Sequence, residues 1–129
     1  MLFRSAADFD AVLSFGVFIY FDSLGYARKV LDEMYRVLKP GGRIFIGEVN
    51  DKDKIDQYRA LRVEKEADMD RKVIKNAKVD HLFFEKAFFE DFAETTDCTV
   101  EIIDEEALGI PYYSCSLYRF SVILVSGQK

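Results

Sequence analysis

Glu33-Met34-Tyr35-Arg36-Val37-Leu38-Lys39-Pro40-Gly41-Gly42, followed by Arg43-Ile44-Phe45-Ile46-Gly47-Glu48, is the stretch whose reading decides the fold. An amphipathic helix runs into a Pro-Gly-Gly breaker, and a strand begins almost at once. Upstream, Leu24, Ala27, Leu31, Met34 and Leu38 recur at steps of three and four, one apolar stripe that must face a sheet. Asp22 and Ser23 offer N-cap oxygens to a helix starting near Leu24, and position 26 is Tyr, so no capping box forms. Arg36 and Lys39 fall in the expected last turn, where positive charge meets the negative end of the dipole. Pro40 pushes Lys39 out of the helical region, and the glycines permit the reversal. Ile44-Phe45-Ile46, and before the helix Ala11-Val12-Leu13, are apolar runs without alternation, as in parallel strands covered on both faces. Strand, helix and strand at this spacing make a βαβ unit with a right-handed crossover.

Working outward, the 129 residues suffice for one domain with a real core. Half of them are hydrophobic, and no apolar run reaches membrane-spanning length, so a soluble cytoplasmic protein without a secretory signal is expected. Cys98 and Cys115 lack metal-ligand or redox spacing and read as two free thiols; no metal site is expected. The net charge of −5 is uneven: residues 81–110 hold nine acids and one base, Lys86. An acidic face of this kind disfavours nucleic acid as a partner.

Residues 51–80 carry eight acids and nine bases and contain neither Gly nor Pro, which predicts exposed helix. The segment is long for a strand-to-helix connection and is read as a helical cap inserted into a single domain spanning 1–129. Phe83, Phe84, Phe88, Phe89 and Phe92 form an aromatic cluster; positions 84, 88 and 92 fall on one helical face, suited to core packing. Thr99–Asp104 alternates like a strand near a sheet edge. Gly109 and Pro111 mark a turn, and Leu117–Ser126 supplies a last strand.

This order, with Arg-Val-Leu-Lys-Pro-Gly-Gly between helix and buried strand, closely resembles the class I methyltransferases that use S-adenosylmethionine. Phe9–Ser14 is similar to the family's fourth strand, Asp22–Leu38 to the helix after it, and Arg43–Val49 to its fifth strand. The helix near Lys86–Thr95 and the two terminal strands resemble the family's last helix and its sixth and seventh strands. Asp97-Cys98 stands where many members have Gly-Phe. The resemblance implies an α/β fold, the C-terminal half of a Rossmann-like sheet, with strands ordered 4-5-7-6, the last antiparallel, and a helical insertion. The family's glycine-rich turn after the first strand has no counterpart: the seven glycines include no G-x-G. The fourth strand would then present a bare edge, which invites pairing with another chain. A homodimer, or a partner supplying the N-terminal half, is expected along Phe9–Ser14.

In an open α/β sheet, ligands sit beyond the carboxyl ends of the parallel strands. Segments 14–20, 48–53 and 104–113 leave that edge. By resemblance, Ser14, Phe15, Gly16 and Val17 border the methionine and sulfonium part of S-adenosylmethionine. Phe18 and Tyr20 border a small-molecule acceptor, and the aromatics here have core packing as their alternative. Asn50, Tyr112 and Tyr113 are further candidates for acceptor contact. Methyl transfer is an in-line displacement in which placement supplies much of the acceleration. A base is needed only where the acceptor loses a proton, and Tyr20, Glu48 and His81 are the candidates. His81 alone has an ordinary pKa near neutrality, and its alternative role is packing or capping at the start of the aromatic helix. Two readings follow: a methyltransferase once the missing half is supplied, or a catalytically inactive half-domain that dimerises or complements a partner.

Overall fold

The computed structural model describes residues 9–68, 81–111 and 113–127. Tyr112, named above as an acceptor contact, and positions 69–80 of the expected cap lie outside the described residues. Strand β1 covers Phe9–Phe15, helix α1 Leu24–Arg36, strand β2 Leu38–Asp51 and helix α2 Ile55–Asp68. Strand β3 covers Phe83–Phe84, helix α3 Lys86–Thr96, strand β4 Cys98–Asp104 and strand β5 Arg119–Ser126. The strand order is β1-β2-β5-β4. β1 runs parallel to β2, and β5 is antiparallel to both β2 and β4. This is the 4-5-7-6 order with an antiparallel last strand.

Helix α1 begins where expected, with Ser23 Oγ accepting from the Tyr26 amide at 3.1 Å. It ends at Arg36, sooner than the stripe implies. In a longer helix the Pro40 ring would strike the carbonyl four residues back, that of Arg36, so the chain leaves the helix there. Leu38 and Lys39 accordingly belong to β2, with Leu38 paired to Phe9 and still buried. Gly41, at φ +75°, makes the turn before the ladder resumes at Ala11 and Arg43.

The core lies on one face of the sheet. Ala27, Leu31 and Met34 of α1, and Phe89, Phe92 and Ala93 of α3, pack onto Ile44, Ile46, Val122 and Leu124. The helices are tied by the Tyr35 hydroxyl, which donates to the Thr96 carbonyl at 3.0 Å, and by Arg28 stacked over Phe92. The opposite face corrects one expectation. β1 is not covered on both sides: Leu13 is 73% and Phe15 68% exposed. Register places Leu13, Phe45 and Ile123 side by side there, with Phe15 beside Gly47 and Arg43 beside Val125. No helix among the described residues lies in the core cluster on that face, so this apolar strip is only partly covered. Gly47 is needed on it, because a Cβ would sit 2.6 Å from the Phe15 ring.

The aromatic cluster also divides differently. Phe83 and Phe84 form β3 instead of a helical face, since Glu85 is extended and α3 starts only at Lys86. β3 lies along the edge of β2 that β1 leaves at Gly47, pairing Asn50 with Phe83 and Asp51 with Phe84. His81 therefore precedes a short strand, not the helix. Leu117 lies in a 3-10 turn, and the last strand starts at Arg119. No helix among the described residues is long and apolar enough to cross a membrane.

Candidate functional site at the carboxyl ends of the strands

β1 ends in a turn at Gly16, whose amide donates to the Gly47 carbonyl at 3.1 Å. Gly16 adopts φ +69° with nothing within 4 Å of a Cβ position, so the backbone here faces open space. Ser14 is half-buried, and Phe15 and Val17 are exposed beside it. Phe18 is placed elsewhere: fully buried, it packs against Phe21, Phe84 and Phe89. Tyr20 is exposed and meets His81 edge-on at 5.1 Å. The Leu82 amide donates to the Ile19 carbonyl at 2.8 Å, which holds these two segments together. Tyr58 of α2 completes an aromatic arc, with its ring 6.4 Å from His81, 5.0 Å from Phe83 and 5.1 Å from Tyr118.

Beside this arc lies a buried polar network. Glu48 occupies the irregularity in the β2–β5 ladder between Ile46 and Val49, at φ +62°, a left-handed backbone that non-glycine residues rarely adopt. Its Oε2 accepts from Arg119 Nη1 at 2.5 Å and from the Tyr113 hydroxyl. Arg119 Nε donates to Asn50 Oδ1 at 2.9 Å, and its guanidinium stacks over Tyr118 at 5.3 Å. Glu105, also buried, contacts the Glu48 carboxyl, and Ser121 Oγ lies 3.5 Å from Glu105 Oε2.

Burial works to raise the pKa of Glu48, but hydrogen bonds from Glu105, Tyr113 and Arg119 outweigh it and keep the carboxyl below its ordinary range. Glu105 goes the other way. Burial, then its contact with ionised Glu48, pushes it up to about 8. The pair therefore holds one proton at neutral pH, which together with Arg119 leaves the network near neutrality. Burial and the Glu48 contact also raise the Tyr113 phenol. His81 is shifted down, first by burial and then by the Arg119 and Arg62 charges, so its imidazole is neutral at pH 7.

The structure thus joins Tyr20 with His81 in one contact, and Glu48, Asn50 and Tyr113 in one network with Arg119. Glu105 and Arg119 went unrecognised in the sequence. Arg119 carried a signal, being the only base between Lys86 and Lys129 and standing at the head of an apolar strand. Glu105 had none, lying inside an acidic run. Among the described residues no group of three or more His, Cys, Asp or Glu side chains converges as metal ligands.

Residues 2–46 match the family model described as a methyltransferase domain. Over 56 residues, 43% of this chain, the sequence is 38% identical to chondramide synthase cmdD of Chondromyces crocatus, of which the match covers 1%. In fold, 99% of the chain superposes on 58% of a chain in the complex between the Haloferax volcanii Trm112 methyltransferase activator and a methyltransferase, with TM-score 0.60 at 13% identity. A similar overlap, 99% of this chain on 60% of the other, TM-score 0.55 and 18% identity, holds for an S-adenosylmethionine-dependent methyltransferase from Thermotoga maritima. The chain thus spans well under two thirds of these two solved structures and a small fraction of the curated relative.

The sheet order and the carboxyl-end site define a Rossmann-like α/β class of protein. The sequence match over residues 2–46 is to a methyltransferase domain, and the strand order is similar to the second half of a class I methyltransferase sheet.

Proposed function

We propose that this chain is the acceptor-side half of an S-adenosylmethionine-dependent methyltransferase acting on a small molecule, active when an N-terminal sheet half completes it. The observation that carries the reading is that the open turn at Gly16, the Tyr20–His81 contact and the Glu48–Asn50–Arg119 network all lie at the carboxyl ends of β1 and β2. That is where an open α/β sheet binds its ligands. Ser14, Phe15, Gly16 and Val17 fit one flank of the cofactor, an open backbone turn with an exposed aromatic ring beside it. When bound, the sulfonium supplies an activated methyl group. Tyr20, Asn50 and Tyr113 border the acceptor. Neutral His81 is the better base of the candidates, because Glu48 is held ionised by Arg119 and is a weak proton acceptor. Helix α2 acts as the described part of the cap expected over residues 51–80, and 1–129 is a single partial domain.

With no G-x-G turn in the sequence, most polar anchors for the cofactor are missing from these residues, and tight binding by the isolated chain is not expected. Calorimetric titration with S-adenosylmethionine tests this: absence of micromolar binding is expected, and micromolar affinity would show the chain to be self-sufficient.

A second reading, an association module without its own catalysis, is favoured by the exposed Leu13 and Phe15 on edge strand β1. In either case the partner, a second copy or an N-terminal half, pairs along Phe9–Ser14. One structural neighbour is a methyltransferase held in a complex with an activator, which is compatible with a fold of this kind working beside a partner.

A further inference from the structure

Asn50 stands between two strands, opposite Arg119 on β5 and opposite Phe83 on β3. Its side chain is fully buried. Arg119 Nε commits the amide oxygen at 2.9 Å, which leaves Nδ2 as a buried donor with no partner among the described residues. Buried polar groups are nearly always paired, so an orphaned donor asks what meets it. The amide cannot resolve this by flipping, because Nδ2 would then face the Arg119 donor. Arg119 in turn cannot swing away, since Glu48 holds its Nη1 at 2.5 Å and the Tyr118 ring lies under its guanidinium.

A second orphan lies nearby in the fold. His81 Nδ1 is buried without a partner among the described residues, two positions before the Phe83 that pairs with Asn50. His81 itself is only half-buried, and exposed Tyr20 packs against its edge. Phe83 links the two orphans into one corner of the sheet: it pairs with Asn50 and meets the Tyr58 ring at 5.0 Å, and Tyr58 and Tyr20 both pack against His81.

We propose that Asn50 is the specificity-determining donor of this corner and Arg119 its positioning residue. The ligand it takes is a small aromatic molecule presenting a hydrogen-bond-accepting oxygen or ring nitrogen to Nδ2. The proposal deepens the acceptor-side reading above and rests on it for the ligand's role as acceptor; the binding chemistry itself involves no methyl donor. An Asp or Leu at position 50 could not offer this donor, and a Lys at 119 lacks the planar fork that fixes the amide.

The test uses two probes of nearly equal shape, acetophenone and α-methylstyrene, which differ in a carbonyl oxygen against a methylene. Each is titrated into the full ¹⁵N-labelled chain while the Asn50 side-chain amide pair, identified by its loss in Asn50→Asp, is followed by NMR. Acetophenone is expected to shift that pair and to bind at least about tenfold more tightly than α-methylstyrene, a difference of about 1.4 kcal/mol. Arg119→Lys is expected to bring the ratio near one while the hydrocarbon still binds. Should that variant not fold, Asn50→Leu serves instead, with the preference turned toward α-methylstyrene. Equal affinity for both probes, no shift of the Asn50 pair with either, or a preference surviving in Arg119→Lys or Asn50→Leu overturns the proposal. No S-adenosylmethionine is present, so failure here is distinct from failure of the methyltransferase reading.

Discussion

Arg119 Nη1 stands 2.5 Å from Glu48 Oε2, with only 10% and 6% of the two side chains exposed. This pair joins the head of β5 to the left-handed residue in β2, so it fixes the site end of the sheet. Removing one partner leaves the other charge buried and uncompensated. Arg119→Met is therefore expected to lower unfolding free energy by about 3–5 kcal/mol, measured by urea denaturation. The exposed pair Lys52–Glu85, at 3.3 Å, gives the contrast. Lys52→Met is expected to cost less than about 1 kcal/mol.

Glu105 sets a pH dependence of definite sign. Its pKa in the folded chain is raised to about 8 from the ordinary 4.5. The native state thus binds a proton that the unfolded chain releases. The resulting contribution is full below about pH 4.5 and is lost as pH rises through 8. Glu48, shifted down, works oppositely, and its contribution is lost at acid pH. Glu105→Gln keeps the neutral shape and is expected to flatten the fall in stability between about pH 4.5 and about pH 8. A wild-type slope unchanged in the variant would assign it to another group.

Much of the fold was legible because local and global signals agreed. Ser23 before an apolar stripe, Pro-Gly-Gly after it and Ile44–Ile46 beyond gave a βαβ unit whose neighbours fell into order. What was hidden depended on tertiary context. The Ala11-Val12-Leu13 run reads as covered on both faces, yet coverage is a property of what packs on the sheet, and Leu13 faces out. Phe83-Phe84 suits helix or strand equally, and pairing with Asn50 and Asp51 decided it. The candidate site was legible at the residues of the strand ends, Glu48, Asn50, Tyr20 and His81. Its organising cation was not, because Arg119 meets Glu48 across 71 residues of sequence.

Asp97 closes helix α3 at φ +55°, ψ +40°. A side chain in this conformation is strained, and glycine is not. Asp97→Gly is expected to raise stability by about 0.5–1 kcal/mol, seen as a higher denaturation midpoint with the same slope. A lower midpoint would show that the Asp97 side chain stabilises the chain by contacts that outweigh the strain.

Phe15 and Leu13 lie on the open face of edge strand β1. Exposed as they are, Leu13→Lys and Phe15→Glu should change the stability of the single chain by no more than about 0.5 kcal/mol. Both are expected to weaken self-association in sedimentation at high protein concentration. Association that persists unchanged in both variants would move the interface away from this face.

The most direct measurement is the map of S-adenosylmethionine on the ¹⁵N-labelled chain by NMR titration. Shifts confined to the backbone of Ser14, Phe15, Gly16 and Val17, still unsaturated at millimolar cofactor, are expected of one flank of a divided site. Saturation in the micromolar range, or shifts centred on any other segment, would contradict the assignment of this chain as the acceptor-side half of a methyltransferase.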